Sequence, residues 1–354
     1  MPNEIFSLGY SAQRGQRKNF RKNFFSGVLR AAGSEKKFQE AHFMQIKPRA
    51  IEPGMTIGVV SPSGPISEQD LETGLQPFYQ RGYKIKLGEH VLQRRGYLAG
   101  TDEQRARDLM GMFAREEVDA VLCSRGGYGA ARLIPYLQPE VFRQNPKPFI
   151  GYSDITVLHL WLQRHVGLVS FYAPMPITMT RHIPDHAMAV FWRALEQPEP
   201  LGELPTWDAP FRKLVGGRAR GRITGGCLCL VASSLGTPYE IDTRDAIVIL
   251  EDVDEPPYRL DSMINQLRLA GKWDQCAGIA FGEDTRWEKH VQEDETTLTP
   301  DEILEDYFSG LGKPVITGFP FGHIQDPLTL PYGVRAELDA DRGKLILLEA
   351  ATTR

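Results

Sequence analysis

The sequence predicts an α/β fold in two parts. An N-terminal parallel α/β sheet domain carries a nucleophile, a C-terminal mixed α+β domain follows, and the site falls at their interface. Three observations predict this. From Thr56 onward, short apolar runs alternate with amphipathic stretches, the pattern of a parallel sheet with crossover helices. Residues 198–215, including PEPLGELPTWDAP, are Pro-rich, acidic and aperiodic, which reads as a linker. Leu328–Leu348 alternates with period two around a turn at Ala340–Gly343, as antiparallel strands do. A chain of 354 residues also exceeds one ordinary core. The expected division is therefore a leader over 1–43, a nucleophile domain over 44–197, the linker over 198–215 and a second domain over 216–354.

The elements follow in order. Thr56–Ser61 (TIGVVS) reads as a buried strand ending in a Pro/Gly turn through Pro65. Ser67 caps a helix to about Gln80, with Leu71, Leu75 and Phe78 on its apolar face. Lys84–Leu87 is a second strand, and Thr101 to Gln104 is a capping box that opens a helix with Ala106, Leu109, Met110 and Phe113 inward. Ala120–Ser124 is a third strand, running into the glycine loop Arg125–Gly129; a helix follows. Pro148–Tyr152 is a strand that ends at Ser153, and Ile155, Leu158, Leu160 and Leu162 begin a helix at once. Another strand lies near Leu168–Tyr172. Beyond the linker, strands are expected at Gly216–Thr224, Ala246–Leu250, Gly278–Phe281 and Val315–Gly318. Helices are expected at Cys227–Leu235, Leu260–Ala270 and Pro300–Leu311.

Composition excludes several classes. Hydrophobic residues make up 42% and charged residues 24%, ordinary for a globular enzyme, and no apolar run reaches membrane-spanning length. Residues 1–43 carry a net charge of +5, leaving about −9 for the remainder, which argues against a nucleic-acid-binding body. The leader lacks a secretory apolar core. Its Arg-rich character fits a transit peptide or a basic arm; the plainer reading is a disordered extension, or an upstream start with the domain beginning at Met44. The four cysteines, Cys123, Cys227, Cys229 and Cys276, show no C-x-x-C spacing and read as buried packing in a reducing compartment.

A strand, tight turn and helix around Ser153 would lift a hydroxyl to the carboxyl edge of the sheet, with helix N–H groups facing whatever it attacks. The spacing is not Gly-x-Ser-x-Gly. A serine nucleophile also needs an imidazole base, an acid to orient it and two N–H donors for the oxyanion. The N–H of Asp154 and one from Gly126 or Gly127 are candidates for the donors. Of eight histidines, His42 is in the leader, His159 and His165 lie on the helix after the serine, and His182, His186 and His290 lie in polar loops. His90 follows a strand. His323 ends Pro320-Phe-Gly-His directly after a strand, though a lone histidine is more often structural or exposed. Glu251 ends the aliphatic strand Ala246–Leu250; the alternative is an ordinary acidic loop with Asp252, Asp254 and Glu255.

Several segments together resemble one family. They are SPSGP (Ser61–Pro65), SRGGYGAARL (Ser124–Leu133), IGYSDIT (Ile150–Thr156) and GG-x-L…LGTPY (Gly225–Tyr239), then LEDVDEPPYRLD (Leu250–Asp261), GFPFGH (Gly318–His323) and LPYGVRAELD (Leu330–Asp339). In this order they resemble the LD-carboxypeptidase family, serine peptidases that include murein tetrapeptide carboxypeptidases and microcin-immunity peptidases. The resemblance implies a triad of Ser153, Glu251 and His323, release of the terminal D-Ala from murein tetrapeptide, a cytoplasmic location, a homodimer, and no metal or organic cofactor. Two departures are the leader and Cys227, which stands where the family pattern favours asparagine. The alternatives are an immunity-type peptidase acting on a peptidyl-nucleotide, with Trp207 holding the base, and a non-catalytic phosphate-binding protein using Ser61–Pro65 and Arg125–Gly129 as anion loops.

Overall fold

The computed structural model describes residues 45–207, 211–291 and 296–354. Gln45–Arg354 forms one compact unit, so the basic leader expected over 1–43 lies outside the described residues. Two sheets organise it. The first contains β1 (Thr56–Val60), β2 (Lys84–Leu87), β3 (Ala120–Cys123), β4 (Phe149–Gly151) and β5 (Ser170–Tyr172) in the order 2-1-3-4-5, all parallel. In such doubly wound sheets the crevice forms at the carboxyl ends where the strand order reverses, here between β1 and β3. SPSGP and SRGGYG leave those two strands, so both loops meet at the reversal.

Local chemistry explains the elements. The helix Glu68–Gln80 starts where Ser67 accepts the Asp70 N–H, and Asp102–Ala114 starts from a complete Thr101/Gln104 capping box. Thr299 and Glu302 form a second box at Pro300–Phe308. β1 and β3 are apolar almost throughout and buried, as strands covered on both faces must be. The expected helix after the glycine loop is a 3-10 turn (Ala130–Tyr136) followed by a short helix (Pro139–Gln144), because Pro135 and Pro139 interrupt any longer one.

The second sheet has eight strands. They are β6 (Gly202–Glu203), β7 (Arg212–Val215), β8 (Arg218–Cys227), β9 (Ala246–Val253), β10 (Gly278–Thr285), β11 (Val315–Thr317), β13 (Arg335–Asp339) and β14 (Lys344–Leu347), ordered 6-14-13-8-9-10-11-7. Its middle, β8 to β11, is parallel, flanked by antiparallel strands on both sides. The stretch 198–215 is therefore not simply a linker, since β6 and β7 are edge strands of this sheet. Their sequences carry no alternation because edge strands bury little, and their partners, β14 and β11, lie far along the chain. A second difference concerns β12 (Leu330–Tyr332), which leaves this half of the chain and pairs antiparallel with β5 in the first sheet. Among the described residues, no helix is long and apolar enough to cross a membrane.

Candidate active site

Ser153 follows β4 with a φ of 65°, a left-handed conformation that costs a non-glycine residue roughly 1–3 kcal/mol. Strain of this kind persists only where neighbours over-determine the turn, and here they do. Gly151 at the end of β4 accepts the Nε2–H of His159, whose Nδ1 bonds Ser170 Oγ at 2.7 Å. With Nε2 donating, Nδ1 is the acceptor and the Ser170 hydroxyl donates. The ring is fully buried, and burial pulls its pKa down to about 4, so it is a neutral clasp between β4 and β5. The Asp154 carboxylate turns away from the serine, accepting the Ser63 hydroxyl and the Ala130 N–H, the latter at 2.8 Å. That one side chain pins the nucleophile turn to the loops after β1 and β3.

Those loops are also tied to each other. Gly64 N–H donates to Gly126 carbonyl at 3.1 Å, Arg125 donates to the Pro65 carbonyl, and buried Arg105 donates to the Pro62 and Gly129 carbonyls. Gly126 is thereby pressed against the nucleophile: a methyl group on its Cα would stand 2.7 Å from Ser153 Cβ and 2.9 Å from Oγ. Among the described residues, neither the Gly126 nor the Gly127 N–H donates a hydrogen bond. Gly127 has a φ of 113°, and its own Cβ position faces Gly64 rather than Ser153. In the anion-loop alternative, Gly64 N–H and the Ser63 hydroxyl are engaged within the protein and the Asp154 carboxylate lies between the loops, which leaves only donors of the Arg125–Gly129 loop.

His323 and Glu251 meet Ser153 from the second sheet. His323 Nε2 is 3.1 Å from Ser153 Oγ, and its Nδ1 is 2.8 Å from Glu251 Oε2. The His323 N–H reaches the same carboxylate oxygen at 3.3 Å. Gly322, with a φ of 100°, lets the loop approach; a methyl group there would lie 2.5 Å from Glu251 Cγ. Burial alone would lower the His323 pKa, but the charge and hydrogen bond of Glu251, with Asp252, outweigh it and raise it. Glu251 does not end its strand as expected. β9 runs on to Val253, and Glu251 is fully buried within it, its neighbours Asp252 and Val253 pairing with Asp284 and Thr285 of β10. The acidic-loop reading therefore fails for Glu251 and Asp252.

Strand alternation decides which face each acid serves. Ile247 and Ile249 pack into the core shared with the first sheet, and Glu251 continues that face. Ala246, Val248 and Leu250 pack into the second core, and Asp252 continues that one, where its carboxylate accepts the Cys229 N–H at 2.7 Å. The donor atoms of Cys227, Cys229 and Asp252 all lie within 4.8 Å of one another, close enough to hold a metal ion in common.

Tyr172 is a site residue that the sequence reading does not contain. Its hydroxyl donates to Glu251 Oε1 at 2.5 Å and accepts the Ser153 N–H at 3.3 Å, so it joins acid and nucleophile directly. Its ring stacks on Tyr332 of β12, with centroids 5.3 Å apart and planes 9° from parallel. The available signal is a tyrosine at the end of a buried strand, whose hydroxyl must find a partner. Among the other histidines, His165 bonds the Pro238 carbonyl, His90 pairs with Asp108, His290 with Asp254, and His186 opens a helix rather than sitting in a loop. Trp207 is half-buried and packs on His186 at 4.7 Å.

The chain is similar to several known proteins. Residues 57–173 match the LD-carboxypeptidase N-terminal domain and residues 220–338 match the LD-carboxypeptidase C-terminal domain. A probable murein peptide carboxypeptidase of Bacillus subtilis is 37% identical over 88% of this chain and 96% of its own length. The crystal structure of a muramoyltetrapeptide carboxypeptidase from Oxalobacter formigenes superposes with a TM-score of 0.73 at 30% identity, covering 83% of this chain and 98% of that one. The microcin C7 self-immunity protein MccF of Escherichia coli is 26% identical over 88% of this chain and 97% of its own.

Proposed function

The chain belongs to the LD-carboxypeptidase family, and from that premise we propose that it is a serine carboxypeptidase releasing the terminal D-Ala of a murein tetrapeptide. The observation that carries the reading is the unbroken hydrogen-bonded series Ser153 Oγ, His323, Glu251, Tyr172, assembled from both sheets around a left-handed serine. Ser153 Oγ attacks the carbonyl of the L-centred residue while His323 Nε2 takes its proton. The same proton passes to the departing D-Ala amine as the peptide bond breaks, leaving an ester on Ser153. Water then gives a proton to His323, attacks the ester and restores the serine. Glu251 holds the imidazole and favours its charged form.

Because the Ser153 N–H is engaged by Tyr172, the oxyanion donors are the next N–H, that of Asp154, and one from Gly126 or Gly127, of which Gly126 is the glycine whose Cβ position faces Ser153 Oγ. A cytoplasmic location and a homodimer accompany the proposal, and light scattering on the purified protein checks the second. Product analysis on murein tri-, tetra- and pentapeptides, beside a peptidyl-adenylate analogue, tests the substrate. D-Ala released from tetrapeptide alone is the expected result. Turnover of the adenylate without tetrapeptide cleavage would instead establish the immunity-type activity, which Trp207, already packed on His186, does little to support.

A further inference from the structure

On the face of β9 opposite Glu251, two thiols and a carboxylate converge. Cys227 ends β8, and Cys229 lies in the first turn of the helix Leu228–Ser233, so the C-x-C spacing straddles a strand-to-helix junction. The two Sγ atoms are 3.5 Å apart, and Cys227 Sγ is 3.3 Å from Asp252 Oδ1. A tetrahedral zinc with bonds of about 2.3 Å to sulfur and about 2.0 Å to oxygen holds its ligands at edges of about 3.8 and about 3.5 Å. Two of the three edges thus stand within a few tenths of an ångström of ligating values before any ion arrives, and the third, Cys229 Sγ to the Asp252 carboxylate, is within 4.8 Å. The carboxylate is also oriented from behind, with the Val253 N–H on Oδ1 at 2.9 Å and the Cys229 N–H on Oδ2 at 2.7 Å. Metal-binding carboxylates are commonly held by outer partners in this way.

A second observation points the same way. Asp284 lies opposite Asp252 in the β9–β10 register, is 9% exposed, and neither of its carboxyl oxygens has a hydrogen-bond partner among the described residues. A buried carboxyl without a partner, beside another acid, is costly unless a cation stands near. Cys227 and Asp252 are buried, while Cys229 is only half-buried, which leaves one side of the group open for entry.

We propose that Cys227, Cys229 and Asp252 form a binding site for a thiophilic divalent cation, zinc in the first instance, with a fourth position open. Binding replaces two thiol protons with the ion: two S–H bonds break, two metal–sulfur bonds form, and both protons pass to buffer. The local charge is −1 before (one carboxylate) and −1 after (zinc with two thiolates and one carboxylate). The ion is therefore electrostatically silent toward Glu251 on the other face, and its role is to tie β8, β9 and the helix Leu228–Ser233 together.

The test uses full-length protein kept reduced, stripped with a chelator and titrated with cobalt(II), then zinc. One cobalt per chain should bind with a near-ultraviolet thiolate charge-transfer band and the visible bands of tetrahedral cobalt, and one zinc should displace it. Calorimetry in buffers of different ionisation enthalpy should read about two protons released per zinc at neutral pH. Cys229→Ser, at a half-buried position, should weaken binding by at least ~100-fold, more than outer-shell changes alone usually cost. Asp252→Asn should weaken it as well, while an unchanged far-ultraviolet spectrum in each variant shows the fold to be intact. No charge-transfer band in the wild type would overturn the proposal. So would a band surviving in both Cys227→Ser and Cys229→Ser, which would place the metal on other thiols.

Discussion

Replacing Tyr172 by phenylalanine removes one oxygen and leaves the ring stack on Tyr332 in place. That oxygen serves two partners. It donates to Glu251 Oε1 at 2.5 Å and accepts the Ser153 N–H at 3.3 Å. Glu251 is fully buried, and its other oxygen already serves both His323 Nδ1 and the His323 N–H. The variant therefore leaves a buried carboxylate oxygen with no donor, a loss of about 1.5–3 kcal/mol for a hydrogen bond to a charged group. In a chain of this size that corresponds to a fall in melting temperature of roughly 2–4 °C. Catalysis should fall too, since Glu251 is free to rotate and carries the His323 ring with it; a misplacement near 1 Å costs on the order of 100-fold. We expect kcat/KM on murein tetrapeptide to drop about 10- to 100-fold, mostly in kcat, because the hydroxyl faces the triad and not the substrate. Steady-state kinetics and a thermal melt on the same preparation check both parts. Wild-type kcat/KM together with an unchanged melting temperature would refute the assignment of Tyr172 as the residue that positions Glu251.

Other expectations follow from the same geometry. His323 acts as a base only when neutral, and its pKa is raised, so kcat/KM should fall as the pH drops through a value above 6.5. Glu251→Gln removes the raising charge and should shift that acid limb to lower pH while reducing the plateau; an unshifted limb would assign it to another group. The linked stability has the opposite sense: it is full below the unfolded histidine value near 6.5 and is lost as the pH rises through the folded one. Ser153→Ala and Ser153→Gly should both abolish turnover and phosphonate labelling. The glycine variant should be the more stable by about 0.5–1 kcal/mol, because alanine keeps the left-handed cost that glycine escapes; equal melting curves would mean the turn is unstrained. Gly126→Ala places a methyl group 2.7 Å from Ser153 Cβ and should lower kcat by at least ~100-fold, read against phosphonate labelling rate.

What the sequence could display depended on whether a signal was local. The strand, tight turn and helix around Ser153, the Thr101 capping box and the aliphatic strand before Glu251 are all written in consecutive residues, and each forms where the pattern puts it. β6 and β7 are short, and their identity comes from distant partners, so nothing nearby marks them; the alternation that marks β12 does not show that its partner is β5 in the other sheet. Tyr172 was invisible for a related reason. A buried tyrosine requires a partner, but only the fold says that the partner is the acid of another sheet.

The same non-local strand explains why the site is assembled at all. The segment that carries His323 leaves β11 in the second sheet and ends at β12 in the first. It is fixed at one end by the Phe319 N–H on the Phe281 carbonyl and at the other by Leu330 pairing with Tyr172. His323 therefore lies on a bridge between the sheets, and the strand that anchors the bridge pairs with β5, the neighbour of the nucleophile strand β4. Tyr332, two residues beyond Leu330, stacks on the tyrosine that holds Glu251. A serine from one sheet and an acid from the other can be held within hydrogen-bond reach of one imidazole because the chain that delivers the imidazole is stitched into both. Loosening β12 should then lower kcat without touching any triad side chain. Leu330→Ala, which removes a fully buried side chain from that strand, costs about 2–5 kcal/mol of stability. The prediction is a larger loss in kcat than an equally destabilising core change such as Phe308→Leu produces, compared at a temperature where both variants remain folded. Equal kcat in the two variants would show that the bridge does not position His323.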